Sequence, residues 1–280
     1  MKGSTGELRR LESSMSERTS YAPGTPCWVD LGSPDLDAAV EFYTALFGWQ
    51  VPASENVEQT GGYRRATKNG ADVAGMMPLM QEGQPPAWSS YVSVADAKAT
   101  AAAVAEAGGS VIAEPMDVMG LGTMAVFADP TGAVFGIWQP GTFPGAGIVN
   151  EPGALAWNEL NTRDLAAAKA FYGAVFGWGF EEMKMGETET YTMINLGGNP
   201  IGGILDMVER GVPEEIPAHW LAYFATEDTD ATVARATESG GGLMMGPIDL
   251  LVGRFAILTD PHGAAFAVIA LSENAPPASA

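Results

Sequence analysis

The 280-residue sequence predicts an α+β fold made by tandem duplication, with four βαβββ modules whose curled mixed sheets surround clefts. Three observations predict it. The segment Trp28–Trp49 (WVDLGSPDLDAAVEFYTALFGW) returns as Trp157–Trp178 (WNELNTRDLAAAKAFYGAVFGW), with 12 of 22 positions identical at an offset of 129. Self-similarity of this kind marks repeated structural units. The match then runs on through the chain. Tyr63 pairs with Tyr191, Ala74-Gly75 with Gly202-Gly203, Tyr91 and Asp96 with Tyr223 and Asp228, and Asp129–Ala133 (DPTGA) with Asp260–Ala264 (DPHGA). Finally, each copy twice sets one helix-periodic segment among short apolar runs, the pattern of strands with a helix on one face.

Each element has its own signal. Cys27–Leu31 is a short apolar strand. Asp35 opens a helix whose apolar residues Ala39, Phe42, Tyr43, Leu46 and Phe47 recur at helical spacing, and Gly48 ends it. Short strands follow at Tyr63–Ala66 and Val73–Leu79, joined by the hairpin signal Asn69-Gly70. Trp88–Val94 is the next strand. Asp96 opens an alanine-rich helix that Gly108-Gly109 closes, and strands near Val111–Val118, Met124–Ala128 and Val134–Trp138 complete the copy. The turn Asp129-Pro130-Thr131-Gly132 joins the last two. The second copy repeats the series. The first domain is expected over 23–141 and the second over 154–271, with a Pro/Gly-rich linker at 142–153. Residues 1–22 and 272–280 are polar and read as a disordered leader and tail; Met15 is a second candidate start.

Composition narrows the function classes. Fourteen Lys and Arg against 34 Asp and Glu leave a net charge of −20. That field repels phosphate backbones and anionic lipid, so neither nucleic acid nor a membrane is expected as a partner. No apolar run approaches the roughly 18 residues of a membrane span, and the N-terminal segment lacks the apolar stretch of a secretory signal. The single cysteine, Cys27, excludes an internal disulfide and reads as a buried structural thiol. A cytoplasmic location and a homodimer are compatible with these features.

The strand, then D-L-x-x-A-x-x-F-Y, then F-G-W, with a later D-P-x-G-A before a final strand, resembles the vicinal oxygen chelate superfamily, which includes glyoxalases, bleomycin-resistance proteins and extradiol dioxygenases. The resemblance covers about Pro26 to Ile269. The tandem form with D-P-x-G-A looks most like the actinobacterial subgroup labelled hydroxylase-like or 27-kDa-antigen-like. Such a fold hosts isomerases, oxygenases, transferases and pure binders, so it does not fix the activity. Metal-using members place a His or Gln on the first strand, seven residues before the helix-opening aspartate. They place a Glu seven residues after the Asp of D-P-x-G, and a further His at the start of the fifth strand. Carried over, these places are Trp28 and Trp157, Gly136 and Ala267, and about Ser89 and Leu221. None supplies the imidazole, carboxylate or thiolate that transition metals prefer, so no metal and no cofactor are expected. Of the two histidines, His262 lies in the D-P-H-G turn and reads as a loop residue. His219, near the expected ligand place, is a candidate to line the cleft.

Strand alternation then selects the cleft residues. If position 28 faces the cleft, so does Asp30, and position 157 takes Glu159 with it. Two readings of this acid pair stay open. The carboxylates bind a ligand, hold magnesium or manganese, or act as general bases. Alternatively they accept bonds from nearby loops or pair with an arginine such as Arg163 or Arg254. Tyr91, Tyr223 and Trp138 join Trp28 and Trp157 as an aromatic wall, with Met76 as an adaptable lip. Three functions follow in order. The first is a metal-independent binder of a small aromatic or hydrophobic metabolite or antibiotic, in sequestration, resistance or biosynthesis. The second is a hydroxylase-like or glyoxalase-like lyase, isomerase or oxidoreductase using Asp30 and Glu159. The third is an interaction protein. MGLG at 119–122 lacks the strand-to-helix context of a phosphate loop.

Overall fold

The computed structural model describes residues 17–81, 83–184 and 190–272. The first copy contains β1 (Pro26–Ser33), α1 (Leu36–Phe47), a one-turn α2 (Val57–Thr60), β2 (Arg64–Lys68), β3 (Ala71–Pro78), β4 (Ala87–Ser93), α3 (Ala97–Glu106), β5 (Ser110–Asp117), β6 (Gly122–Ala128) and β7 (Val134–Pro140). The second contains β8 (Leu155–Thr162), α4 (Leu165–Phe176), β9 (Gly179–Lys184), β10 (Thr190–Leu196), β11 (Asn199–Asp206), β12 (His219–Ala225), α5 (Thr229–Glu238), β13 (Gly242–Leu250), β14 (Gly253–Thr259) and β15 (Ala265–Leu271).

The capping chemistry explains the helix limits. Asp35, Asp96, Asp164 and Asp228 are the N-caps of the four longer helices, and each side chain accepts from an amide in the first turn, which satisfies a donor the helix itself cannot. Gly48 and Gly177 close α1 and α4 in the left-handed region, at φ 71° and 69°, where a side chain would be strained. Asn69 and Gly70, both at positive φ, turn β2 into β3.

Each copy makes its own mixed sheet. The orders are β2-β3-β1-β4-β7-β6-β5 and β13-β14-β15-β12-β8-β11-β10-β9. The modules of a copy meet through the antiparallel pairs β1–β4 and β8–β12. The first module has one strand fewer than its counterparts: where the second copy forms β9, the first has only an isolated bridge, Gln50 to Thr67. The segment that follows carries Pro52, Asn56 and Gly61-Gly62, which disfavour a continued ladder.

Both copies bury their helical faces against one another. One core joins Val29, Leu31, Phe42, Tyr43 and Phe47 of the first copy to Phe224, Leu258 and Phe266 of the second. Its counterpart joins Val92, Phe127, Phe135 and Ile137 to Leu160, Phe171, Tyr172 and Ile204. The repeated motifs do this joining. The Tyr172 hydroxyl donates to Asp129 Oδ2 at 3.0 Å and accepts from Trp220 Nε1 at 2.9 Å. In mirror fashion the Tyr43 hydroxyl reaches Asp260 Oδ2 at 3.4 Å and accepts from Trp88 Nε1. Each aspartate's other oxygen organises its own D-P-x-G-A turn through amides two and four residues on. Trp49 and Trp178 donate across the same joint, to the carbonyls of Gly153 and Gly24. His262 therefore stands in a turn that braces the two copies.

With the helices between the copies, the opposite face of each sheet carries no helix among the described residues; it is the face on which the expected hollow would lie. No helix among the described residues is long and apolar enough to cross a membrane. Packing extends upstream of the expected boundary at 23: Tyr21 is buried and its hydroxyl donates to the Ala146 carbonyl at 2.7 Å. The rest of the expected leader, 1–16, and the tail after Ser272 lie outside the described residues.

Candidate functional site

Alternation along β1 and β8 places the site residues. Val29, Leu31 and Leu160 enter the helix-side cores, so Trp28, Asp30, Trp157 and Glu159 lie on the hollow face. Tyr91 stands opposite Trp28 and Tyr223 opposite Trp157. Trp138 completes the first wall. Met76 does not belong to it. It pairs with Leu31 rather than Asp30, and it is fully buried on the helix side, because it sits one residue out of phase with Gly75. His219 opens β12 opposite Asn161; its Nδ1 lies 2.9 Å from the Pro217 carbonyl, at the edge of the second hollow.

The two carboxylates form matching polar clusters. Asp30 Oδ1 accepts from Trp28 Nε1 at 2.7 Å and from the Tyr63 hydroxyl at 2.6 Å, and Trp28 Nε1 also lies 2.9 Å from that hydroxyl. Glu159 accepts from Tyr191 at Oε2, 2.8 Å, and from Tyr223 at Oε1, 3.0 Å, while Trp157 Nε1 donates to Tyr191 at 2.9 Å. Asp30 and Glu159 are only 6% and 5% exposed. Burial pushes the Asp30 carboxyl up to about 6, against the lowering effect of bonds from Tyr63, Trp28 and Tyr91. Burial likewise raises Glu159, against its bonds to Tyr191 and Tyr223 and the positive charge of Arg210. The four tyrosine hydroxyls are raised in turn, by burial first and then by the neighbouring carboxylate. They stay protonated and act as donors.

The arginines named as possible partners are engaged elsewhere. Arg254 pairs with Asp230 and Asp249, and Arg163 donates to the carbonyls of Val212, Pro213 and Ile216. Phenol and indole donors fill that role instead. Tyr63 and Tyr191 are the site residues that sequence reasoning missed, although their place in the repeat was visible. So was the signal of Gly75 and Gly203: a Cβ at Gly75 would collide with Asp30 Oδ1 and the Tyr63 hydroxyl, and one at Gly203 with the Tyr191 hydroxyl. Cys27 is fully buried, and burial raises its thiol, which makes it a poor nucleophile.

The topology does bring the family's ligand places together, on β1, β4 and β7 and on β8, β12 and β15. Their side chains do not fit a divalent ion. Trp28 directs its indole N–H, a donor, at Asp30. Gly136 offers no ligand atom, and a Cβ there would strike the Tyr91 ring. Leu221 and Ala267 are apolar. Among the described residues no group of three or more His, Cys, Asp or Glu could hold a metal. Cavities of about 450 and 340 Å³ lie elsewhere, one lined by Tyr21, Thr25, Leu196 and Ile201 and the other by Ala99, Ala103 and Phe176.

The profile of the Glyoxalase/Bleomycin resistance protein/Dioxygenase superfamily matches residues 27–137 and 154–268. The chain belongs to this superfamily. CFP32 of Mycobacterium tuberculosis, whose name assigns it provisionally to the glyoxylases, is 41% identical over 259 residues, covering 91% of this chain and 98% of that protein. The anthracycline biosynthesis protein DnrV of Streptomyces peucetius is 40% identical over 275 residues, covering 93% and 98%. Among solved structures, the Mn(II)-bound glyoxalase from Novosphingobium aromaticivorans superposes with a TM-score of 0.62 at 17% identity, over 91% of this chain and 84% of that one. The 2,3-dioxygenase LapB from Pseudomonas sp. KL28 gives 0.61 at 14%, over 94% and 96%. Both likenesses concern the fold. The places carried over from the superfamily's metal-using members hold Trp28, Ser89 and Gly136 in the first copy and Trp157, Leu221 and Ala267 in the second.

Proposed function

We propose that this protein binds a small aromatic or hydrophobic molecule on the hollow face of its sheet, without a metal ion, and sequesters, carries or presents it. One observation carries the reading: the positions where the superfamily places ligands hold Trp28, Gly136, Trp157 and Ala267, while the nearby carboxylates are already bonded to tyrosines. Aromatic walls with a few fixed polar groups suit planar apolar compounds. The name of DnrV is consistent with this, since an anthracycline is a planar fused-ring compound. A second reading is favoured by the raised Glu159 carboxyl: an acid pushed toward neutrality by burial is suited to accept a proton from a bound substrate.

An anthracycline serves as the probe. Titrated into chelator-treated protein, it should quench tryptophan fluorescence saturably, and Trp157→Ala should weaken that binding at least tenfold. Glu159→Gln should leave binding within a few-fold. Binding that appears only after Mn²⁺ or another divalent ion is restored would contradict the proposal. Turnover of a bound compound that Glu159→Gln abolishes would favour the enzyme.

A further inference from the structure

The two hollows are not equally covered. The first is closed by the chain's own connecting segment. After β7 the backbone doubles back, with the amides of Gly141 and Phe143 bonded to the Leu121 carbonyl at 2.9 and 3.0 Å. The Phe143 carbonyl accepts from Trp138 Nε1 at 2.8 Å. The Phe143 ring then stands edge-on to Trp28, with centroids 4.9 Å apart at 88°, and 6.0 Å from Trp138 at 75°. The Arg65 guanidinium lies 5.4 Å from its centroid. Tyr21, Ala146 and Val149 complete the cover.

The second hollow has the same wall, and among the described residues no ring packs on Trp157 as Phe143 packs on Trp28. Its apolar cluster comprises Trp157, Tyr223, Phe255, Ile269 and their neighbours on the sheet, with Leu250 and Val252 at the β13–β14 turn. In the repeat, Leu121, Met124 and Trp138 become Val252, Phe255 and Ile269, and the cross-strand pair Met124–Trp138 becomes Phe255–Ile269. The chain even leaves β15 in the same way, the Ser272 amide bonding to the Val252 carbonyl at 3.0 Å. Position 274, the counterpart of Phe143, is an asparagine, and residues 273–280 include no aromatic side chain. Trp157 is accordingly half-buried where Trp28 is 5% exposed.

We infer that Phe143 is a built-in occupant of the first hollow, and that the second hollow takes one uncharged benzenoid ring of a free ligand in the corresponding pose, edge-on to Trp157. This rests on the binding function proposed above and specifies it: one ligand ring per chain, held by the second copy. Edge-to-face packing in an apolar recess is a favourable aromatic arrangement. Removing a ring from such a recess leaves space that a free aromatic molecule can fill.

Toluene is the probe, read by thermal unfolding at saturating concentration. Wild type should be stabilised by about 2–4 °C, the shift expected for a ligand present at roughly ten times its dissociation constant, and Trp157→Ala should lose that shift. Adding Phe143→Ala to Trp157→Ala should restore a shift, because the first hollow is now open. If that double variant folds only when toluene is present, this too supports the inference. If it does not fold at all, Phe143→Leu in the same background is read instead, and a smaller positive shift is expected. No toluene shift in either opened variant, or an undiminished shift in Trp157→Ala alone, would overturn the inference. A wild type that ignores toluene would likewise overturn it; if that wild type still shows saturable quenching with an anthracycline, the binding function stands and only the place given to the ring fails.

Discussion

Replacing Asp30 by asparagine should flatten the pH dependence of stability in a defined window. The carboxyl titrates near 6 in the folded protein against 3.8 for the free group. Between those values the folded state holds a proton that the unfolded chain has released, so stability is highest below 3.8 and falls as pH rises through 6. The full loss is about 3 kcal/mol, each pH unit between the two values contributing about 1.4 kcal/mol. About 1.4 kcal/mol of that loss falls between pH 5 and pH 8. The amide in Asp30→Asn keeps an acceptor for Trp28 Nε1 and the Tyr63 hydroxyl and carries no charge at any pH. Urea unfolding of both proteins at pH 5 and pH 8 should therefore show the variant gaining about 1.4 kcal/mol on wild type between the two. Taking the difference of differences removes Glu159 and every other titrating group. An equal pH slope in both proteins would refute the burial argument, for it would mean that water reaches Asp30 freely.

Three further outcomes follow. Gly203→Ala should displace the Tyr191 hydroxyl from Glu159, destabilise the chain by about 1–3 kcal/mol in urea and reduce probe binding, whereas Gly179→Ala, whose Cβ would meet nothing closer than the Asn195 carbonyl at 3.8 Å, should leave binding unchanged. Tyr172→Phe leaves Asp129 Oδ2 without its donor across the joint and Trp220 Nε1 without its acceptor within the second copy, and should cost about 1–3 kcal/mol while leaving the distant hollow's affinity intact. Cys27, buried with a raised thiol, should resist an aromatic disulfide reagent in the native protein and react stoichiometrically in denaturant; rapid native labelling would contradict its placement.

The duplication and the element order were legible because local chemistry sets them: aspartate N-caps, left-handed glycines after F in F-G-W, and Asn-Gly in the hairpin. That Asp30 shares a sheet face with Trp28, and Glu159 with Trp157, also followed from alternation along a strand. Met76 was misplaced because the phase of β3 is fixed by its parallel pairing with β1, a long-range fact. The tyrosine partners escaped notice for a related reason. Tyr63 comes from the residue just before an edge strand, and only the sheet order β2-β3-β1 brings it over Gly75. The role of F-Y and D-P-x-G as a joint between copies was likewise hidden, since each motif completes its hydrogen bonds with the opposite copy. Phe143 lies in a segment that composition marks only as a linker. Its packing on Trp28 depends on where the chain runs after β7.

Calorimetric titration of an anthracycline into protein whose metal content has been shown to be negligible tests the central claim most directly. One molecule should bind per chain, with the same affinity in the presence of chelator and of added Mn²⁺. Binding that requires a stoichiometric divalent ion, or two equal sites per chain, would contradict the account.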